Sequence, residues 1–283
     1  MAWLLVDGSS LIFRAFFGVP KAMRAPDGSL NNAIRGFQDT LARIVAARQP
    51  DHLAIATDED WRPKWRVDLI PSYKSHRTAE PVPPELEPQL PKIESVLAAI
   101  GVDMQGLPQF EAEDVIASWA RQIDGEVWIL SGDRDLFGLV EDGRVRVLYP
   151  EKGGLAEITE AEIERRYGVP GRAYADFAVL RGDPSDGLPG VGGIGAKRAA
   201  ELVSRYGGIE GIVAAGRLGA ADADYVTRAI QVVRPAPGDL PLPPGRRDDY
   251  PLDQAALATL VERYGLGGSA ERLLNALRSV LGR

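Results

Sequence analysis

The sequence predicts an α/β fold: a mainly parallel central sheet flanked by helices, followed by a helical region. Three observations carry this. Short apolar runs alternate with segments of helical periodicity over the first two thirds of the 283 residues. Three of those runs end on an aspartate, where open parallel sheets place their sites. After about residue 155 the strand signals stop and helical segments follow one another.

In chain order, "WLLVD" (3–7) reads as the first strand, and Asp7 before "GSS" is placed to cap a helix. Residues 32–49 set Ile34, Phe37, Leu41, Ile44 and Val45 at helical spacing. "HLAIATD" (52–58) is a second strand, and 61–90, basic, aromatic and proline-rich, reads as an irregular connection. Helical patterns at 91–101 and 113–123 precede strands at 127–133 ("VWILSGD") and 145–150 ("VRVLYP"). Helices are then expected over 160–168, 173–182, 196–207, 252–265 and 269–282, with a second irregular stretch at 235–251.

Composition narrows the chemistry. There is no cysteine, which removes disulfides, thiolate metal sites and thiol nucleophiles, and the two histidines, His52 and His76, leave little for a Ser-His-Asp triad. No apolar run spans a bilayer, and Asp7 interrupts the N-terminus before a signal-peptide core forms, so a cytoplasmic protein is expected. The net charge of −7 argues by itself against a nucleic-acid partner. Nine carboxylates, however, fall into clusters. Setting them aside from the 40 acids leaves fewer than the 33 Lys and Arg, and bound cations would invert the local sign.

Those nine are Asp7, Asp58 and Asp133 at strand ends; Asp135; Glu111, Glu113 and Asp114 at a helix start; and Asp183 and Asp186. Singly, each reads as a cap or strand end. A convergent set needs cations or protons, because two charges about 4 Å apart repel by roughly 4 kcal/mol at an effective dielectric near 20. Oxygen-only ligands select hard ions, Mg²⁺ or Mn²⁺, and two such ions would clamp a phosphodiester, one activating water and the other stabilising the leaving oxygen.

The loop "GDPSDGLPGVGGIGAKRA" (182–199) spells G-x-G-x-x-G from Gly190, but no strand runs into it, which excludes a dinucleotide site. It also lacks the Gly-Lys-Ser/Thr of a Walker A motif and the acid spacing of an EF-hand. What remains is a helix, a tight hairpin and a second helix from near Ala196 whose free N–H groups suit a phosphate. An ordinary glycine-rich turn between helices is the alternative.

Six pieces then occur in one order: "LLVDGSSLIFRAFF" (4–17), "AIATD" (54–58), "PSYKSHR" (71–77), "FEAEDVIAS" (110–118), "ILSGDRDLFGLV" (129–140) and "GDPSDGLPGVGGIGAKRAAELV" (182–203). The chain thereby resembles the 5′ nucleases: the N-terminal exonuclease domain of bacterial DNA polymerase I, its stand-alone bacterial and phage relatives and, more distantly, the flap endonucleases. The resemblance implies a PIN/flap-endonuclease-like nuclease core over 1–170, with an arch or clamp at about 61–90. A C-terminal helix-three-turn-helix subdomain would occupy 171–283, with a helix-hairpin-helix-like element at 182–203.

Carried onto this sequence, it implies that Asp7, Asp58, Glu111 and Glu113 surround one metal and Asp133, Asp135, Asp183 and Asp186 a second, with Asp114 between them or serving another ion. Lys74 and Arg77 match the basic pair expected on the scissile phosphate. The hairpin glycines Gly190, Gly192, Gly193 and Gly195, with Lys197 and Arg198, would grip the duplex backbone, with a K⁺ ion at the hairpin as in relatives. Tyr73, Trp61 and Trp65 stand either as stacking partners for bases or as ordinary packing, and Phe13, Phe16 and Phe17 as a wedge or as core. Arg62, Arg66 and His76 read as solvated or phosphate-facing.

Two positions depart from the family pattern: Glu113 stands for the usual bacterial Asp, and Gly187 for the usual Asn. The implied activity is divalent-metal-dependent hydrolysis near 5′ ends and 5′ flaps of DNA, with RNA–DNA hybrids as further substrates, in replication and repair. It would be the work of a monomer in the bacterial cytoplasm at the nucleoid. A branched-DNA-binding protein of the same fold with a decayed site is the rival, and it would have lost acids that are all present here.

Overall fold

The computed structural model describes residues 1–78 and 82–282. Six strands form one sheet: β1 (Ala2–Asp7), β2 (His52–Thr57), β3 (Asp103–Gly106), β4 (Glu126–Leu130), β5 (Val145–Glu151) and β6 (Gly154–Ile158). They lie in the order β3-β2-β1-β4-β5-β6, parallel except for the antiparallel β5–β6 pair. The four expected strands are the four central ones, although β4 stops at Leu130 and hands Asp133 to a loop. Neither edge strand is expected from the sequence. β3 is "DMQG", half-buried throughout, and β6 begins with two exposed residues, so neither carries an apolar run.

Helices follow as α1 (Gly8–Gly18), α2 (Asn32–Arg48), α3 (Lys64–Leu69), α4 (Leu90–Ile100), α5 (Ala112–Gln122) and α6 (Glu160–Tyr167). The later ones are α7 (Tyr174–Arg181), α8 (Ala196–Tyr206), α9 (Ile209–Ala214), α10 (Ala220–Val233), α11 (Gln254–Tyr264) and α12 (Gly267–Leu281). Helix α3 lies inside the stretch expected to be irregular, and α9 and α10 were not anticipated. Residues 79–81 of the expected arch lie outside the described residues.

Strand alternation divides the core in two. Trp3 and Leu5 of β1 share one cluster with residues of α5 to α10, while Leu4 and Val6 share the other with α1, α2, α4, α11 and α12. Within the expected C-terminal helical unit, 171–283, the last two helices pack in the second cluster. The irregular stretch 235–251 makes the crossing. It is stitched to α5, where Trp119 Nε1 donates to Pro241 O (2.7 Å), and to the sheet, where Leu53 N donates to Gly245 O (2.7 Å). Among the described residues no helix is long and apolar enough to cross a membrane.

Candidate active site

Strand order brings the acids together. The chain lays β2 and β3 on one side of β1 and then β4 to β6 on the other, so the order reverses between β1 and β4. Asp7 closes β1, Asp58 follows β2, and Asp133 follows β4 after three residues, which places three aspartates along the carboxyl edge of adjacent strands. Ser131 ties two of them: its hydroxyl donates to Asp7 Oδ2 (2.6 Å) and accepts from Asp133 N (2.9 Å). Asp7 also caps α1, accepting from Ser10 N at 2.9 Å, so capping and clustering coexist in one side chain.

The helix start at α5 is docked beside this edge. Asp58 Oδ1 accepts from Ala112 N (2.8 Å), and Glu111 and Glu113 are buried. Carboxylate oxygens of Glu113, Asp133 and Asp135 lie within 4.8 Å of one another. This trio crosses the expected partition, drawing Glu113 from one set and Asp133 and Asp135 from the other. Glu113 Oε1 is buried without a hydrogen-bond partner, although Arg66 Nη2 stands 3.0 Å away out of alignment. A buried carboxylate with an oxygen that accepts no hydrogen bond, clustered with two further carboxylates, fits a hard divalent cation.

Electrostatics agree with this. Burial, then Asp58, pushes the Asp7 carboxyl up to about 7, and burial, then Asp133, pushes Asp186 to about 6. Burial drives Glu113 and Asp135 well above the usual carboxylate range, with Asp133 adding repulsion to both. A raised folded-state pKa means stability that is complete below about pH 4, where both states hold the proton. It is lost as pH rises toward 7, because the unfolded chain releases its proton first. For Asp7 the shift of about three units corresponds to roughly 4 kcal/mol. The metal-free protein is therefore expected to melt at a lower temperature at pH 8 than at pH 5. Mg²⁺ should raise the melting temperature more at pH 8, and an equal rise at both pH values in calorimetry would contradict the assignment.

Three expected roles look different in space. Asp114 is taken up by protein donors: Arg66 at 2.7 and 2.9 Å, Ala236 N at 2.7 Å and Glu111 N at 3.1 Å. Arg66, expected to be solvated or phosphate-facing, is wholly buried; its guanidinium bonds Glu111 and Asp114, and its Nε donates to Val232 O (3.0 Å). Its signal in the sequence was only its place three residues into α3 behind a proline. Tyr73 is 2% exposed with its hydroxyl on Glu111 Oε2 (2.7 Å), so it orients an acid rather than offering a face to a base. Arg62 holds the backbone of the same segment through Tyr73 O (2.6 Å) and Pro71 O (2.9 Å).

Segment 72–74 packs onto the turn carrying Asp183 and Asp186. Lys74 N donates to Asp186 O (2.9 Å), Lys74 Nζ bonds Glu111 and lies 3.9 Å from Asp186, and Arg77 Nη2 lies 3.8 Å from Asp186. Burial opposes the Lys74 charge, but Glu111, Glu113 and Asp186 outweigh it and raise its pKa. Gly187 explains its own departure from pattern: with φ +70°, a Cβ there would sit 2.2 Å from Ser72 O, so glycine permits this docking. Asp183 accepts from Ser185 N (3.0 Å), the Ser185 hydroxyl and Arg134 Nη2 (3.0 Å).

The hairpin divides likewise. Gly190 N donates to the Tyr225 hydroxyl (3.1 Å), and a Cβ there would meet Arg181 O at 2.6 Å, so this glycine serves packing. Gly192, Gly193 and Gly195 are exposed with open space around them, Gly195 caps α8 without a side-chain bond, and Lys197 and Arg198 are exposed in the first turn. Phe16 is core, whereas Phe17 is 71% exposed and Phe13 and Trp61 are exposed to a lesser degree. Trp65 is half-buried, its Nε1 donating to Gln109 O at 3.2 Å.

Comparison with known proteins agrees with this architecture. Residues 2–168 match the family model of the 5′-3′ exonuclease N-terminal resolvase-like domain, and 169–229 that of the 5′-3′ exonuclease C-terminal SAM fold. A 5′-3′ exonuclease of Streptomyces coelicolor is 48% identical, covering 97% of this chain and 99% of that one. DNA polymerase I of Mycobacterium bovis is 40% identical over 74% of this chain, which is 24% of its own length. The T5 flap endonuclease solved with DNA and metal ions superposes with a TM-score of 0.65 over the full length of both chains at 16% identity, a likeness of fold.

Proposed function

The chain belongs to the 5′-3′ exonuclease family, and from that premise we propose that it hydrolyses phosphodiesters at 5′ ends and 5′-flap junctions of DNA, including RNA–DNA hybrids left by primers. The observation that carries this reading is the Glu113–Asp133–Asp135 trio at the carboxyl edge of β1 and β4, two of its acids buried and Asp133 half-buried, with Lys74 and Arg77 docked on the neighbouring Glu111 and Asp186. We place the nuclease core in 1–170 and a helical subdomain in 171–283 whose duplex-gripping element is 182–203, acting as a monomer in the bacterial cytoplasm at the nucleoid.

Asp7, Asp58, Glu111, Glu113, Asp133, Asp135, Asp183 and Asp186 are assigned to hold Mg²⁺ or Mn²⁺. Two such ions, when bound, supply activation of water and stabilisation of the leaving oxygen, leaving a 5′-phosphate and a 3′-hydroxyl. The chain's own groups do the rest. Tyr73 and Arg66 fix the Glu111 carboxylate. Lys74 and Arg77 offset charge developing on the scissile phosphate. The free N–H groups of Gly192, Gly193 and Gly195, with Lys197 and Arg198, hold duplex phosphates, with K⁺ seated at the hairpin. Asp114 acts through Arg66 as a structural partner.

A labelled 5′-flap duplex incubated with Mg²⁺ or Mn²⁺ tests the reading, and absence of cleavage with either ion, set against an EDTA control, refutes it. Lys74→Ala is expected to slow single-turnover cleavage by about 10²–10³-fold and Arg77→Ala by about tenfold. Parent-like rates would remove those roles.

A further inference from the structure

Two arginines in this protein are built in contrasting ways. Arg66 has every edge of its fork bonded and no exposure, as a structural cation should. Arg134, in the loop after β4, leaves a third of its side chain exposed; its Nη2 bonds Asp183 (3.0 Å) and touches Ser185 Oγ at 3.5 Å. Its Nε and Nη1 make no hydrogen bond among the described residues. Asp183 does not depend on it, since the Ser185 amide and hydroxyl and Arg181 Nη2 (3.5 Å) also donate there.

Arg77 reaches the same turn from another segment, with Nη2 3.1 Å from Ser185 O and its side chain 43% exposed. Residues 183–186 are thus bracketed by two partly solvated guanidinium groups within hydrogen-bond range of one serine, beside the acids assigned to the metals. A planar fork with unused donors, tethered at one corner, is suited to phosphate oxygens.

We propose that Arg134 binds a backbone phosphate of the substrate strand adjacent to the scissile one held by Lys74 and Arg77. The proposal rests on the nuclease reading for its ligand, and its test is a binding measurement that does not require cleavage. Affinity for a 5′-flap duplex is read by fluorescence anisotropy in EDTA from about 50 to 200 mM KCl. Losing one phosphate contact lowers the slope of log K against log salt by about one. Arg134→Ala is expected to show that loss with about tenfold weaker binding, and Arg134→Lys to keep the parent slope. A merely structural Arg134 would leave the slope unchanged in Arg134→Ala, which overturns the proposal. A parent that cleaves with Mg²⁺ while both variants keep its slope overturns this contact alone, whereas a parent that neither binds nor cleaves overturns the nuclease reading and the contact with it.

Discussion

Asp133→Asn is expected to lower the cleavage rate by about 10³-fold or more while leaving flap-duplex affinity within a few-fold, because about 4 kcal/mol of charge stabilisation at the reacting phosphate is lost. Asp133 is the acid that the others share. It raises the pKa of Asp7, Glu113, Asp135 and Asp186, so removing its charge affects both proposed ion positions at once. The amide keeps the local frame, since its oxygen can still accept from Asp135 N, now at 2.9 Å from Asp133 Oδ1. One fewer charge among these acids also relieves repulsion, so the metal-free variant should melt higher than the parent at pH 8. Single-turnover cleavage and calorimetry decide the matter, and a parent-like rate would remove Asp133 from the centre.

Arg66→Met should destabilise the fold by about 3–5 kcal/mol, because it leaves Glu113 and Asp114 without their buried counter-charge and Glu111 with Lys74 alone. At roughly 2–4 °C per kcal/mol for a domain of this size, the melting temperature should fall by about 10 °C. Adding Asp114→Leu removes one orphaned charge and should recover part of the loss. If Arg66 instead faced DNA, the substitution would weaken duplex binding and leave the melting temperature nearly unchanged.

Asp133 and Arg66 differ in how much of their role the sequence carries. Asp133 follows an apolar run in "VWILSGD", and a carboxylate past the end of a parallel strand is legible from pattern alone. Arg66 sits among basic and aromatic residues in a stretch with no periodicity, and nothing in its neighbourhood says that the side chain turns inward to α5 and α10. The same division runs through the fold. β1 and β2 are buried on both faces and therefore continuous in hydrophobicity, while β4 and β5 keep enough buried positions, Val127, Ile129 and Leu130, then Val145, Val147 and Leu148, to show as apolar runs. Edge strands β3 and β6 are half-solvated and carry no such mark.

The α/β class, the central strands and the family to which the chain belongs are legible in the sequence, as are Glu113, Asp133 and Asp135, which the fold brings within 4.8 Å of one another. These are local features: apolar runs, helical periods and motif order survive in one dimension. Only the tertiary structure decided that Asp114 is spent on Arg66, that Tyr73 points at Glu111 rather than at solvent, that the trio mixes the two expected ligand sets, and that α11 and α12 return to the other side of the sheet. Each depends on which groups meet across long stretches of chain. Burial then settles the chemistry, because a charge withdrawn from water must find a partner wherever the fold supplies one.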